Sequence, residues 1–196
     1  TGIVQIYSKS YKISQVIEAH AINFTTYKFN GNSNATNVFL AAKRTNQLSN
    51  SNQVKIYIIE LGPVVDGNSA LISRIESVRW FDPIDGRYDF PVSIECSTEF
   101  GLIYILSKYG TIYICDVESG AFLLKRIVSS NCLFVSLLDF ETQGLIAIAK
   151  SGQVLSIDLD FNNLIHFLKK ISKNDIAFRI KQILDQQSDC DMVTRL

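Results

Sequence analysis

Charge of one sign is missing in excess: 19 Lys and Arg stand against 19 Asp and Glu in this 196-residue chain, a formal net charge of zero. A nucleic-acid binder would show a basic stripe with interleaved aromatics, and none is present. Histidine is scarce, and the four cysteines (Cys96, Cys115, Cys132, Cys190) have no CxxC spacing. That excludes a recognisable zinc motif and argues against a disulfide framework. Cys96 and Cys115 fall in strand-like runs and read as small core residues of a reducing compartment. No apolar run approaches the ~18 residues of a membrane-spanning helix. No signal peptide is visible, although Thr1-Gly2 does not look like a natural start, so for a fragment that absence says little. Gly-rich phosphate loops, HExxH and nucleophile elbows are likewise missing. The pattern holds no cofactor site and no metal site.

What is present is 47% hydrophobic content, ample for a core, arranged with a two-residue period. One pattern occurs twice: Gly101-Leu-Ile-Tyr-Ile-Leu-Ser-Lys-Tyr-Gly110 and Gly144-Leu-Ile-Ala-Ile-Ala-Lys-Ser-Gly152. Each is followed by an alternating strand ending in an acid, Asp116 or Asp158. Gly101 and Gly144 lie 43 residues apart, and Gly110–Gly152 and Asp116–Asp158 both 42. A period near 40–45 with several strands per unit marks a β-propeller blade. Each unit should hold a buried middle strand, a tight Gly turn and a half-buried return strand. Two similar hairpins of a sandwich are the plainer alternative.

Earlier in the chain, Val4–Ser8 and Ile13–Ile17 read as strands joined through Lys9-Ser10. Ala21–Phe29, Val38–Ala42, Val54–Leu61 and Ile72–Phe81 follow. A polar insert (Thr45–Gln53), the loop Gly62–Ala70 and a turn at Pro83 and Asp85-Gly86 separate them. The next blade begins at Asp89-Phe90-Pro91-Val92. Residues 1–160 therefore hold three blades and part of a fourth. A propeller closes with at least four, so the arc should be open, with apolar surface at its cut edge. The chain reads as a piece of something larger. After Asp160 the period becomes 3.6, predicting amphipathic helices over 162–171 and 175–186 and a frayed tail, Ser188–Leu196.

Candidate chemistry is sparse. His20 and His166 have no nucleophile in a recognisable context and read as a hydrogen-bonded structural histidine and the flank of a helix face. Asp158-Leu-Asp160 suits turn and cap acids better than a metal site. Lys169-Lys170-Ile-Ser-Lys173 suits a solvated helix end, favourable to the helix dipole.

Taken in order, Ser14-Gln-Val-Ile-Glu18-Ala-His20-Ala, Asp89-Phe-Pro-Val92, Lys108-Tyr-Gly-Thr-Ile112, Asp116-Val-Glu-Ser-Gly120, Gly152-Gln-Val-Leu-Ser156 and Asn162-Asn-Leu-Ile…Asn174-Asp-Ile-Ala-Phe-Arg179 resemble the clathrin heavy chain family. The resemblance covers nearly the whole chain. It implies the later blades of the family's seven-bladed amino-terminal propeller over 1–160 and the start of its α-solenoid linker over 161–196. The Thr45–Gln53 insert is longer than usual for the family. The same resemblance implies a non-catalytic coat scaffold of clathrin-mediated traffic and endocytosis, on the cytoplasmic face of coated pits and vesicles. It implies contact with membrane only through adaptors. It also implies an inter-blade groove that takes short peptides of adaptor and accessory proteins. Light chains and other heavy chains would meet regions outside this chain. The matching groove positions are Arg44, Phe81 and Lys108: Phe81 to line an apolar pocket, the two cations to attract acidic flanks. Phe81 as plain core, and the cations as solvated charges, are the bland alternatives. A WD-repeat-like scaffold of another assembly is the alternative for the whole.

Overall fold

The computed structural model describes residues 2–8, 13–45, 52–62, 66–67, 72–82 and 87–194. The expected turns at Lys9-Ser10 and at Pro83 to Gly86 lie outside the described residues, as does most of the insert and of the 62–70 loop. The described residues form an open β-propeller arc of four antiparallel sheets followed by two helices. Strands β1 (Gly2–Ser8) and β2 (Ile13–Ala19) make the first sheet. The second runs β3 (Ala21–Tyr27), β4 (Thr36–Arg44), β5 (Gln53–Leu61) and β6 (Ser73–Arg79). The third runs β7 (Pro91–Ser97), β8 (Leu102–Ser107), β9 (Thr111–Asp116) and β10 (Phe122–Ile127). The last has β11 (Leu133–Leu138), β12 (Leu145–Ala149) and β13 (Val154–Ile157).

The sheets stack face to face in chain order. β2 packs on β4, β7 packs on β3 and β4, and β11 packs on β7 and β8. Alternation along a strand lets one strand serve two cores. On β4, Val38, Leu40 and Ala42 face the third sheet, while Phe39 and Ala41 face the first. On β8, Ile103 and Ile105 turn to the second sheet, and Leu102, Tyr104 and Leu106 to the fourth. The end sheets carry the same two-sided pattern with one side bare: Ile146 and Ile148 of β12 and Val16 of β2 are exposed.

The two copies of the hairpin match, with two corrections. Asp116 pairs with Leu102, and Leu145 pairs with Ile157, so Gly144 falls opposite Asp158. Gly110 and Gly152 occupy equivalent left-handed turns, φ 81° and 82°. In this register the partner of Gly101 (φ 65°) is Gln143 (φ 56°), one residue before the expected Gly144. At 101 a side chain has no room: a Cβ would sit 2.6 Å from the Tyr27 hydroxyl and 3.2 Å from Val117. Position 143 has that room, and the side chain uses it. Ser97 Oγ donates to Gln143 Oε1 (2.7 Å), Gln143 Nε2 donates to the Phe140 carbonyl (2.9 Å), and Tyr104 Oη donates to the Gln143 carbonyl (2.7 Å). The bonds from Ser97 and Tyr104 tie the third sheet to the fourth. The second correction concerns β9: it is almost wholly buried because β10 lies outside it, whereas β13, with no strand beyond it among the described residues, is half-exposed as expected.

Helices α1 (Phe161–Lys170) and α2 (Asn174–Thr194) close the fold. Asp160 caps α1, accepting from Asn163 N–H at 3.0 Å, and Phe161 stacks on Phe100 at 3.9 Å. Leu164, Ile165, Leu168, Ile176, Ala177 and Ile180 join the core between the last two sheets. Arg179 reaches from α2 to the buried Asp116 carboxylate and to the carbonyls of Phe100 and Gly101. The backbone of α2 stays helical to Thr194, past the end expected at 186, because extending a formed helix carries no nucleation cost.

Gln143 offers a test of the shifted register. Gln143→Ala keeps the left-handed strain and loses the side-chain bonds, and should destabilise by about 2 kcal/mol. Gln143→Gly loses the same bonds but relieves the strain, so its urea midpoint should lie above that of the alanine variant, by about 1 kcal/mol in stability. Equal midpoints would show that position 143 carries no strain.

Candidate peptide-binding site

The sequence-predicted residues Arg44, Phe81 and Lys108 lie in three different environments where the second and third sheets meet. Arg44, the last residue of β4, is buried at 1% exposure. Its Nη1 donates to Asp82 Oδ1 (3.0 Å) and the Asp89 carbonyl (2.9 Å); its Nη2 donates to Asp82 Oδ2 (2.9 Å) and Asn52 Oδ1 (3.1 Å). The bidentate fork onto Asp82 is geometry that lysine could not reproduce. Tyr88 covers the guanidinium, its ring centroid 4.8 Å from Cζ. Sequence reasoning places Arg44 at the groove as a cation for acidic flanks; in the fold its charge is matched internally, and its contacts tie β4 to the segments carrying Asn52, Asp82 and Asp89.

Phe81, beside Asp82, is 39% exposed and lies at the seam rather than in the core. Its N–H donates to Tyr113 Oη (3.2 Å) of the neighbouring sheet, and Tyr113 stacks on Trp80 at 4.0 Å. That alternation, Trp80 in and Phe81 out, leaves the Phe81 ring part-exposed, and Phe122, 40% exposed, lies 6.4 Å from the Tyr113 ring. Lys125 Nζ lies 2.9 Å from the Phe81 centroid and Arg79 Cζ 5.3 Å from it.

Lys108 follows β8, its side chain over the rings of Phe90 (5.3 Å) and Tyr109 (5.4 Å). Its N–H donates to the Phe90 carbonyl, and Asp89 Oδ1 accepts from the N–H groups of Phe90 (3.0 Å) and Tyr109 (3.1 Å). Asp82 Oδ1 also accepts from Asp89 N–H, so Arg44, Phe81 and Lys108 are linked through the Asp82–Asp89 pair. Burial raises the Asp89 carboxyl above its ordinary value.

His20 supports the same corner from behind. Its Nδ1 accepts the Arg44 N–H at 3.0 Å, and its ring meets Phe90 at 5.4 Å. The bond to Nδ1 puts the ring proton of the neutral form on Nε2. This is a structural histidine, with Glu18 committed to Lys43 at 2.5 Å. His166 is exposed on α1.

Sequence reasoning passes over Arg79, Asp82, Tyr113 and Lys125. Arg79 shares the two-residue period with Phe81, which is a usable signal. Nothing local points to Lys125, because its position follows from the packing of one sheet on another.

Two measurements probe the corner. Asp82→Asn leaves the buried Arg44 charge without its counterion and should destabilise by about 3 kcal/mol, read as a lower denaturation midpoint. A change below 1 kcal/mol would mean that water replaces Asp82. His20 is held near a pKa of about 4 instead of 6.5, first by burial and then by nearby cations including Lys43 and Arg44. A depressed folded pKa gives stability that is complete above pH 6.5 and is lost as pH falls toward 4. The ring should titrate near 4 by NMR, and His20→Gln should remove that part of the pH dependence.

No protein-family model matches the chain. It is 33% identical over 180 residues to clathrin heavy chain 2 of Homo sapiens and 33% to the clathrin heavy chain of Drosophila melanogaster. It is 34% identical over 180 residues to probable clathrin heavy chain 1 of Caenorhabditis elegans. Each alignment covers 91% of this chain and 10% of the relative, so the chain spans about a tenth of the length of the curated relatives it matches. Among the described residues, no helix is long and apolar enough to cross a membrane. With sheets stacked as propeller blades and helices following them, the chain belongs, over the segment it spans, to the clathrin heavy chain family.

Proposed function

We propose that this chain is part of a non-catalytic clathrin coat scaffold, with residues 1–160 as propeller blades and 161–196 as the start of a helical linker. In this reading the seam between the second and third sheets binds short adaptor peptides at the cytoplasmic face of coated membranes. The observation that carries it is Phe81: a large aromatic ring left 39% exposed at a seam where its neighbour Trp80 is 1% exposed. Blade seams offer strand ends and side-chain pockets to extended peptides. Phe81 and Phe122 supply apolar surface, Lys108 lends positive charge at the rim, and Arg44 holds the groove wall from inside. Light chains, other heavy chains and the membrane itself are reached through other parts of the assembly, the membrane by way of adaptors.

Covering one phenylalanine contributes roughly 1.5–3 kcal/mol, and a rim cation about 0.2–1 kcal/mol. A single groove should therefore bind on the order of micromolar or weaker, and gain its effect from many copies on one lattice. Titration of a leucine-rich peptide with an acidic flank, followed by NMR, tests this. Shifts should centre on Phe81, Phe122 and Tyr113. Phe81→Ala should weaken binding about tenfold at any salt, and Lys108→Glu mainly at low ionic strength. Shifts confined to other surfaces would remove the assignment.

A further inference from the structure

Two cations approach the Phe81 ring from opposite sheets. Arg79 is the last residue of β6, and Lys125 stands on β10 opposite Tyr113 of β9. Both are exposed, and no carboxylate pairs with either among the described residues. Two acids lie three residues from Arg79 in sequence: Asp82 is already held by both Nη atoms of Arg44, and Glu76 lies against Gly120. Like charges over one ring repel each other, and an exposed cation–π contact offsets little of that. Partial burial, and then the charge of Arg79, lower the Lys125 ammonium below its ordinary value. Among the described residues, the free seam is thus a place where positive charge accumulates without a paired carboxylate.

Lys125 Nζ also occupies the face of Phe81, at 2.9 Å from its centroid, that an aliphatic ligand side chain would cover. Any such ligand must move Lys125 aside. A neutral peptide would do so without compensation. A peptide with a neighbouring carboxylate gives the displaced ammonium a partner, which its flexible four-carbon stem can reach. Arg44 is too buried for that role, and Lys108 lies over Phe90 and Tyr109.

We propose that Arg79 and Lys125 are the specificity-determining residues of this groove, jointly taking the carboxylate of an acidic residue beside the aliphatic side chains that cover Phe81. This rests on the reading of the seam as a peptide groove. Lys125 then acts as a lid that opens for acidic ligands in preference to neutral ones, and Arg79 holds the carboxylate from the other wall.

The test uses the full chain, 15N-labelled, and two short peptides: a pair of leucines followed by aspartate, and its asparagine twin. At low salt the wild type should prefer the aspartate peptide by about fivefold. Arg79→Gln or Lys125→Gln alone should reduce that preference, and the double variant should abolish it. Lys125→Met, which keeps an apolar stem over Phe81, should reduce the preference while retaining affinity for the asparagine peptide. If shifts centre on Phe81 but the double variant keeps the acidic preference, or the wild type shows none, the assignment to Arg79 and Lys125 is overturned and the groove stands. If neither peptide shifts residues around Phe81, groove and assignment are overturned together.

Discussion

The structure depends on one constraint: its middle strands must be covered on both faces at once. A sheet inside the stack has no solvent side, so strands such as β4 and β8 are apolar at successive positions and feed two separate cores. Polar groups within the stack consequently need dedicated partners. Glu60, 3% exposed, accepts from Thr36 Oγ1, Asn32 Nδ2 and Ile72 N–H; Asp116 accepts from Ser119 and Arg179. The same constraint explains the thiols. Cys96 and Cys115 are buried and free, and burial pushes the Cys96 thiol up to about 12, so both act as small apolar residues.

That constraint decides what was legible from sequence. Continuous apolar runs ended by glycine identify the β8–β9 and β12–β13 hairpins, because burial on both faces and tight left-handed turns demand those residues. The switch to a 3.6-residue period identifies both helices, because their apolar stripe packs on the last two sheets. The acid of Asp160 reads correctly as a cap. What escapes is whatever depends on pairing register. Gly101 and Gly144 look equivalent by spacing, yet the conformational equivalent of Gly101 is Gln143. The left-handed position is glycine only where Tyr27 and Val117 crowd it; elsewhere hydrogen bonds can hold a glutamine there.

The candidate site was legible to a different degree. Arg44, Phe81 and Lys108 are linked through the Asp82–Asp89 pair, but residue type does not reveal how each charge is spent. Arginine at a strand end can be a solvated cation or a buried cross-link, and the difference lies in Asp82, 38 residues away. Lysine on an outer strand can be ordinary surface, as residue type alone suggests for Lys125; its place over Phe81 follows from how two blades meet. Long-range contacts of this kind leave no local pattern.

Division of labour between buried and exposed cations then follows from electrostatics. A guanidinium sealed beside its carboxylate holds backbone segments in place, and preorganisation of that sort lowers the ordering cost of any ligand at the seam. It contributes little attraction, since its field is cancelled locally by Asp82. Arg79 and Lys125 at the surface have the opposite character: no carboxylate among the described residues pairs with them, and solvent and salt weaken their field. In the proposed groove, a wall fixed by Arg44 and a mouth bordered by Arg79, Lys108 and Lys125 would separate rigidity from selectivity. On that proposal, substitution at the mouth should retune which peptide is preferred without disturbing the two cores that the seam rests on.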